Sequence, residues 1–482
     1  MLTFDTSTPE KQGISSGNVL RMLRRLRNKK IPMHSILLMR NDVIVAEGYY
    51  APYNKDTLHR MFSIIKSINA IAIGFCAEDG LLSLDDTIVS FFPEYSNAST
   101  HPRIKEMTIR NMLMMRTCHA STTYKDVENM DWIESFFKVP PTHKPGSIFH
   151  YDTSCSHVLC TLVEKLTGKN SLDYLKEKVP ELGLSEESYL LLDPYGHPHG
   201  GSGLMALPKD LLRFGYFLLH EGNIGQTQYL SREYIHRATS FLTATEVTAP
   251  VLSEAMGYGY QIWRNERGGF TCYGMGGQLI IVLPEENLIC VTTADTQGIA
   301  GGNQAIYDAF YEEIVDNLSR AELSDNPGDY RMLQHYLQHL SIPSQEGIFS
   351  PEESRKRLEK YCGKVYEMDE NIRGMSSLSL SCEKDLLCLS FRLREECHSL
   401  YFGIGKLETG TFTKDQYRYA GSGAWIDEDS FYIRLHIIDS CIGSLHFQLS
   451  FQDEEITVFV KKMEESLFQE FTGHFHGKSI IS

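Results

Sequence analysis

The chain has 482 residues, 42% hydrophobic and 22% charged, which is typical of a globular protein with two or three domains. Its formal net charge of −16 argues against a surface that binds nucleic acid or an anionic membrane. The N-terminal residues lack the pattern of a secretory signal, and the most apolar window is too short and too polar to span a bilayer. Eleven cysteines without a Cys-x-x-Cys pair favour a reducing compartment over a disulfide framework, so we expect a cytoplasmic protein.

The first part of the chain alternates strand and helix patterns. Residues 34–50 predict two strands joined by a turn at Asn41 and Asp42. A strongly apolar helix is predicted from about Ser63 and ends near Gly80, because glycine is favoured just after a helix. Helical spacing returns in four later segments: 108–115, 155–167, 205–220 and 303–320. Three neighbouring strands are predicted among them: 257–263, 277–283 and 288–293, with a turn at Pro284.

The composition changes near residue 323, where two segments rich in Ser, Pro, Gly and Asp flank a short predicted helix. Strand patterns dominate beyond them: 378–380, 386–391, 431–438, 445–451 and 456–460. We therefore predict a mixed α+β domain over residues 1–322, a linker over 323–355 and an all-β domain over 356–482.

The start of the apolar helix carries the strongest chemical signal. Ser63 and Lys66 are three residues apart, so they share a helix face. Burial disfavours the charged form of a lysine, and a neutral lysine can take the proton of a neighbouring serine and make it a nucleophile. The backbone N–H of Ser63, at a helix N-terminus, would also face a developing oxyanion.

Other interpretations of this pattern remain open at this stage. Ser63 could simply cap the helix while Lys66 extends toward solvent. The Ser-x-x-Lys spacing also occurs at Ser135/Lys138 and Ser381/Lys384, but neither pair begins a long apolar helix. Residues 13–17 match the Gly-x-Ser-x-Gly pattern of another hydrolase class, yet that motif requires a preceding buried strand, and residues 1–12 are polar.

Further motifs follow Ser63 in a fixed order. They lie at residues 78–94, 107–113, 145–153, 201–215 and 273–278. Together, over roughly residues 8–318, they resemble the serine β-lactamase-related superfamily, with class C β-lactamases, D-aminopeptidases, esterases and nylon-oligomer hydrolases as the most similar members. The resemblance implies a β-lactamase/transpeptidase-like fold, an antiparallel sheet flanked by helices with a helical subdomain.

The resemblance also implies roles for individual residues. Ser63 matches the serine that is acylated, and Lys66 matches the lysine that shares its proton. Tyr151 matches the tyrosine that acts as a base in acylation and as an acid toward the leaving group. A Tyr/Lys pair that shares one proton is physically reasonable, because two cations would not fit beside one serine. The N–H groups of Ser63 and Met275 are the expected oxyanion donors.

Two motifs imply the substrate-binding residues: Asp152, Thr153, Cys272, Tyr273, Gly274 and Gly276. Both depart from the β-lactamase pattern. Thr153 stands where β-lactamases place an asparagine that holds the substrate amide. Cys272 falls where those enzymes place a cation that binds the substrate carboxylate. An ester, amide or peptide-like small molecule is therefore a better substrate prediction than a β-lactam.

The C-terminal region, including residues 421–425, resembles the lipocalin-like β domains found in some of these hydrolases. Such a domain would shape the catalytic cleft or contact a second copy in a homodimer. We expect a small-molecule substrate, no cofactor, no metal ion, no nucleic-acid partner and no membrane partner. Two alternatives to hydrolysis remain: acyl transfer to an alcohol or amine at the same residues, and a catalytically silent binding or sensor protein on this scaffold.

Overall fold

A computed structural model describes residues 2–249, 251–383, 386–414 and 416–480. The chain forms two compact units, which divide between Leu340 and Ser341. This division falls inside the segment predicted as a linker. Across the described residues, no helix combines the length and the apolar character needed to cross a membrane.

The strands of the first unit form three antiparallel sheets. The largest has six strands in the order β2-β1-β11-β10-β9-β8, and a second has the order β3-β5-β4. The strands are β1 (Met33–Arg40), β2 (Val43–Tyr49), β3 (His59–Phe62), β4 (Tyr189–Leu190), β5 (Leu204–Ala206), β6 (Asn223–Ile224), β7 (Thr227–Gln228), β8 (Trp263–Arg264), β9 (Phe270–Gly274), β10 (Gln278–Leu283) and β11 (Leu288–Ala294).

Eleven α-helices of the first unit lie within the described residues. They are α1 (Ser16–Asn28), α2 (Ile64–Glu78), α3 (Pro102–Lys105), α4 (Ile109–Leu113), α5 (Trp132–Lys138), α6 (Thr153–Thr167), α7 (Ser171–Lys178), α8 (Pro208–Leu219), α9 (Arg232–Thr239), α10 (Gly302–Glu313) and α11 (Pro327–Gln338). The last of these packs against α1 and β2, within the first unit.

Helix α2 is the centre of the core. Every residue from Ile64 to Cys76 is buried, because the helix packs against α6, α7 and β9. Gly74 permits a close contact, since a Cβ atom there would lie 2.5 Å from the ring of Tyr234. The phenol of Tyr234 donates a hydrogen bond of 2.6 Å to the carbonyl oxygen of Ala70. A helix that is apolar all round can be buried in this way only where neighbouring elements surround it.

Most elements predicted for this unit are confirmed. Asn41 and Asp42 have φ angles of 50° and 68°, as the predicted turn between β1 and β2 requires. The predicted strand over residues 257–263 was wrong, since only Trp263–Arg264 pairs as a strand there. Gly257 and Gln261 have positive φ angles, which bend the chain out of an extended path. The helix predicted over 303–320 ends at Glu313.

The second unit contains one helix, α12 (Pro351–Leu358), and a ten-stranded sheet within its described residues. Each strand pairs antiparallel with its neighbours in the order β15-β14-β13-β12-β21-β20-β19-β18-β17-β16. The strands are β12 (Val365–Met368), β13 (Met375–Glu383), β14 (Leu386–Leu393), β15 (Glu396–Phe402), β16 (Glu408–Thr411), β17 (Arg418–Trp425), β18 (Ser430–Ile438), β19 (Ile442–Gln452), β20 (Glu455–Met463) and β21 (Gly473–Ser479).

The sheet of the second unit curls until its ends approach. Gly403, just after β15, exchanges backbone hydrogen bonds of 3.1 and 2.8 Å with Gly421 and Gly423 of β17. The all-β prediction for this region is therefore confirmed. A disulfide joins Cys362 and Cys382 within this unit.

The central position of α2 leads to a prediction about the stability of the protein. Ile71→Ala should lower the free energy of unfolding by about 2–5 kcal/mol, because Ile71 is fully buried and truncation leaves a cavity. Ile372→Ala is the matched control, since that side chain is 96% exposed and should change stability by less than about 0.5 kcal/mol. Urea unfolding followed by circular dichroism measures both; equal effects would contradict the assignment of α2 to the core.

Candidate active site

A sharp turn places Ser63 at the start of α2. Phe62, the last residue of β3, has a φ angle of 46°, a conformation that is strained for a bulky side chain. The chain therefore changes direction immediately before Ser63. The side chain of Ser63 forms no hydrogen bond with the backbone of its own helix, so it does not act as a helix cap. Its hydroxyl group is available for other contacts.

Lys66 makes the contact that the sequence predicted. Its Nζ atom lies 2.8 Å from Oγ of Ser63 and donates a second hydrogen bond, of 2.5 Å, to the carbonyl oxygen of Gly201. Only 1% of Lys66 is exposed, so its amino group does not extend toward solvent. The alternative of a capping serine beside a solvent-directed lysine is therefore wrong.

Two glycines allow the chain to approach Lys66. A Cβ atom at Gly201 would lie 2.5 Å from Cγ2 of Thr153, and one at Gly200 would lie 2.1 Å from Cβ of Cys160. Thr153 and Cys160 lie in α6, so larger residues would push this segment away from that helix. Asn69, one turn after Lys66, donates a hydrogen bond of 2.7 Å to the carbonyl oxygen of Gly200 and fixes the same segment.

Tyr151 completes the group. Nζ of Lys66 lies 5.0 Å from the centre of its ring, and the Ser63 side chain is near enough to lower the pKa of its phenol. The ring stacks on Trp263 with a centroid distance of 5.6 Å. Burial raises the pKa of Tyr151, the Ser63 side chain lowers it, and the charge of Glu254, when that group is ionised, raises it further. The net shift is upward, so the phenol keeps its proton at neutral pH.

The turn between β9 and β10 lies close to the approach to Ser63. A Cβ atom at Gly274 would lie 2.2 Å from the carbonyl oxygen of Met61, two residues before Ser63. Met275 follows Gly274, and its carbonyl oxygen accepts a hydrogen bond of 2.7 Å from Gln278. Gly276 has a φ angle of 85°, and its carbonyl oxygen accepts a hydrogen bond of 3.0 Å from Thr296. These bonds hold the turn that carries the predicted second oxyanion donor.

Asp152 has a structural role and not the substrate-binding role that was predicted. Its side chain is fully buried and caps α6 by accepting hydrogen bonds from the N–H groups of Ser154 and Cys155. Burial raises its pKa to about 6, against the opposing effect of these hydrogen bonds. Its carboxyl group therefore fixes the helix that follows Tyr151 and does not face a substrate.

Thr153 and Cys272 border the catalytic group from two sides. Thr153 contacts the Gly201 segment and is partly exposed. Cys272 is fully buried, and Ser67 of α2 is near enough to oppose the rise of its pKa. Burial raises the pKa of Cys272 to about 12, so the thiol is neutral. Cys272, which the resemblance matches to a cation of the β-lactamases, is therefore uncharged.

Tyr273 leads to a residue that the sequence did not reveal. Its hydroxyl oxygen accepts a hydrogen bond of 3.1 Å from Asn303, and its pKa is raised by burial and then by the charge of Glu254. Glu254 is fully buried, and neither carboxyl oxygen has a hydrogen-bond partner among the described residues. Burial raises its pKa to about 8. No sequence motif marks Glu254, because it lies in a loop without periodic spacing.

The other two Ser-x-x-Lys pairs do not reproduce this geometry. Ser135 is buried and donates a hydrogen bond of 2.7 Å to the carbonyl oxygen of Trp132, while Lys138 is exposed. Ser381 lies in β13, and Lys384 falls outside the described residues. In the Gly-x-Ser-x-Gly pattern, Ser15 directly precedes α1 and follows no strand.

Comparison with known proteins identifies the family of this chain. The sequence profile of the family described as Beta-lactamase matches residues 20–310, more than half of the chain. The chain belongs to the beta-lactamase family. Its first unit has the β-lactamase/transpeptidase-like fold, with the antiparallel sheet and the surrounding helices that this family shares.

Individual relatives of this beta-lactamase family protein are distant in sequence. The 6-aminohexanoate-dimer hydrolase of Paenarthrobacter ureafaciens is 20% identical over 279 residues, which cover 53% of this chain and 71% of that protein. The structure of a putative 6-aminohexanoate-dimer hydrolase from Bacillus anthracis matches with a TM-score of 0.51 and 19% identity, over 65% of this chain and 88% of that one. A putative beta-lactamase from Bacteroides dorei matches with a TM-score of 0.50 and 18% identity, over 62% and 98%. At these identities the structural matches show the fold alone.

The buried carboxyl group of Glu254 leads to a prediction about how stability depends on pH. The pKa of Glu254 rises from about 4.5 in the unfolded chain to about 8 in the folded one, so its proton stabilises the folded state. This contribution is complete below pH 4.5 and is lost as the pH rises toward 8. Glu254→Gln avoids the loss, and it should exceed the wild type in stability at pH 8 by about 4 kcal/mol and much less at pH 5.

Thermal and urea unfolding at the two pH values measure this difference. Glu285→Gln is the control, because Glu285 is exposed and its neutralisation should leave the pH dependence of stability unchanged. If Glu254→Gln followed the wild type at both pH values, the carboxyl group would have to be solvated or paired in the folded protein.

Proposed function

We propose that this protein is a serine hydrolase that acts through an acyl-enzyme on an ester, amide or peptide-like small molecule. The observation that carries the proposal is the contact of one hydroxyl group with a buried amino group beside a phenol: Oγ of Ser63 lies 2.8 Å from Nζ of Lys66, and the same Nζ lies 5.0 Å from the centre of the Tyr151 ring. The family membership and the hydrolase activity named for a relative support the same reaction class.

The first step is attack of Oγ of Ser63 on the substrate carbonyl carbon. Because Tyr151 keeps its proton, the proton of Ser63 passes to Lys66, which must be neutral at this moment. The negative charge that develops on the carbonyl oxygen is bound by the N–H groups of Ser63 and Met275. Tyr151 then donates its proton to the leaving group and regains one from Lys66.

The second step reverses these roles. Water attacks the ester of Ser63, gives up a proton to the same pair of residues, and releases the acid while the hydroxyl of Ser63 is restored. Acyl transfer to an added alcohol or amine would use the same residues, and product analysis with such acceptors separates it from hydrolysis. The uncharged Cys272 supports a substrate without the carboxylate that penicillins carry, and hence poor β-lactam turnover.

Replacement of the nucleophile tests the proposal directly. Ser63→Ala should abolish labelling by a fluorophosphonate probe and reduce p-nitrophenyl ester turnover at least about a thousandfold, because it removes the nucleophile. Ser135→Ala is the matched control, since it removes the serine of the pair Ser135/Lys138, whose lysine is exposed. Labelling retained in Ser63→Ala would overturn the site, and no labelling of the wild type would favour a silent binding protein.

The proton that Tyr151 retains leads to a second prediction, which tests its role as the acid. Tyr151→Phe keeps the ring that stacks on Trp263 but removes the group that protonates the leaving group. For an alkyl ester, kcat/KM should fall about 10²–10⁴-fold, and for the p-nitrophenyl ester of the same acid it should fall much less, because p-nitrophenolate leaves without a proton. Equal losses for both esters would show that Tyr151 acts as the base and not as the acid.

A further inference from the structure

Two neighbouring strands of the second unit bring a set of basic and polar side chains together. Alternate residues of β18 belong to the apolar core of this unit, so Arg434 and His436 point to the opposite face of the sheet. The register pairs Arg434 with His446 of β19, and His436 with Ser444. Residues directly opposite each other share one face of an antiparallel sheet. We call Arg434, His436, Ser444 and His446 the Arg434 cluster.

Buried nitrogen atoms of this cluster lack hydrogen-bond partners. Only 2% of His436 is exposed, and neither of its ring nitrogens has a partner among the residues that the structure describes. Nε of Arg434 is also buried and unpartnered within the same residues. The hydrogen bond from Nη2 of Arg434 to Oγ of Ser444 is long, at 3.5 Å. Buried donors in folded proteins almost always have an acceptor, from the protein, from water or from a bound molecule. An acceptor from outside the chain would satisfy these groups.

The strand on one side of the cluster contributes only short, uncharged side chains. Ala420 of β17 lies opposite His436, and Ser422 lies opposite Arg434. The hydroxyl of Ser422 already accepts a hydrogen bond of 2.9 Å from the N–H of Gln345. Neither side chain is a carboxylate, so β17 leaves the charge of Arg434 uncompensated.

The strands on the other side add neutral and positive groups. One ring nitrogen of His446 lies 2.9 Å from Oγ of Ser444, and the other is bonded to the hydroxyl of Tyr432. Lys461 of β20 lies opposite His446 and is exposed. Burial, and then the charges of Arg434 and Lys461, lower the pKa of His446 to about 3. The charges that act on the cluster are therefore positive, in a chain whose formal net charge is −16.

These groups select an anion as the guest. A guanidinium group has five N–H donors and stays protonated in proteins. Burial, and then the charges of Arg434 and His446, lower the pKa of His436 well below its usual range, so its ring is neutral at pH 7 and has one N–H to donate. A carboxylate or phosphate group accepts paired hydrogen bonds from a guanidinium group. A cation would be repelled by Arg434 and Lys461.

We propose that the Arg434 cluster is a binding site for a small oxyanion, the carboxylate or phosphate group of a molecule from solution. Arg434 supplies the charge and the paired donors, and His436 supplies one further, buried donor. Arg434 and Tyr432 are partly exposed, so the guest approaches along these two side chains. The site needs neither Ser63 nor an ester substrate, and it therefore goes beyond the proposed hydrolase.

Thermal unfolding of the full chain in different salts tests the site. Acetate and phosphate at pH 7 are each compared with chloride at the same ionic strength. The wild type should melt at least about 2 °C higher in one of the two oxyanions than in chloride, because a ligand of the folded state stabilises it. The ion with the larger shift identifies the guest as a carboxylate or a phosphate. Arg434→Gln should abolish this shift, and His436→Leu should reduce it at least by half.

The matched control is Arg418→Gln. Arg418 is an exposed arginine of β17 whose Nε lies 3.3 Å from Oδ2 of Asp439, so this variant removes the same charge and leaves the cluster intact. It should keep the wild-type shift. The proposal would be overturned by the absence of a shift in the wild type, by a full shift in Arg434→Gln or His436→Leu, or by equal losses in Arg434→Gln and Arg418→Gln.

A direct binding measurement does not depend on melting temperatures. The phosphorus NMR line of inorganic phosphate, or the methyl proton line of acetate, should broaden with the wild type and with Arg418→Gln and stay sharp with Arg434→Gln. Circular dichroism shows whether each variant is folded. If Arg434→Gln does not fold, Arg434→Lys replaces it: this variant keeps the charge but lacks the paired donors, and it should bind at least about threefold more weakly. Wild-type affinity in the folded Arg434 variant would reject the site.

Discussion

The amino group of Lys66, held between the hydroxyl of Ser63 and the carbonyl oxygen of Gly201, is the contact on which the first unit depends. A lysine with 1% exposure is costly to bury unless its donors are satisfied. The surrounding structure meets this need, because the glycines at 200 and 201 bring carbonyl oxygens to α2, and Asn69 fixes them there. The apolar faces of α2 exclude water from the same place, which strengthens each remaining electrostatic contact.

Much of this arrangement could be predicted from the sequence, because local spacing encodes it. The placement of Ser63 and Lys66 on one turn of an apolar helix follows from helix geometry, and the predicted helix began within one residue of its observed start at Ile64. The turn at Asn41 and Asp42 was equally local. The strand predicted over 257–263 failed because glycines and a left-handed Gln261 break an alternating apolar pattern.

Other features could not be predicted because they depend on contacts between distant segments. The approach of Gly201 to Lys66 joins residues 135 positions apart. Asp152 follows Tyr151 directly, yet its fully buried carboxyl group belongs to the start of α6 and not to a substrate site. Glu254 belongs to no periodic pattern of residues, so no feature of the sequence pointed to it. Its burial without a partner weakens the fold, and such local costs are typical of functional sites.

The stacking of Trp263 on Tyr151 gives the protein a built-in optical reporter. The chain has three tryptophans: Trp132 in α5, Trp263 beside the catalytic phenol, and Trp425 buried in the second unit. Indole emission responds to the polarity and charge of its immediate surroundings. With Trp132 and Trp425 replaced by phenylalanine, acylation and release at Ser63 could be followed in real time as changes in intrinsic fluorescence, with unlabelled substrates of any colour.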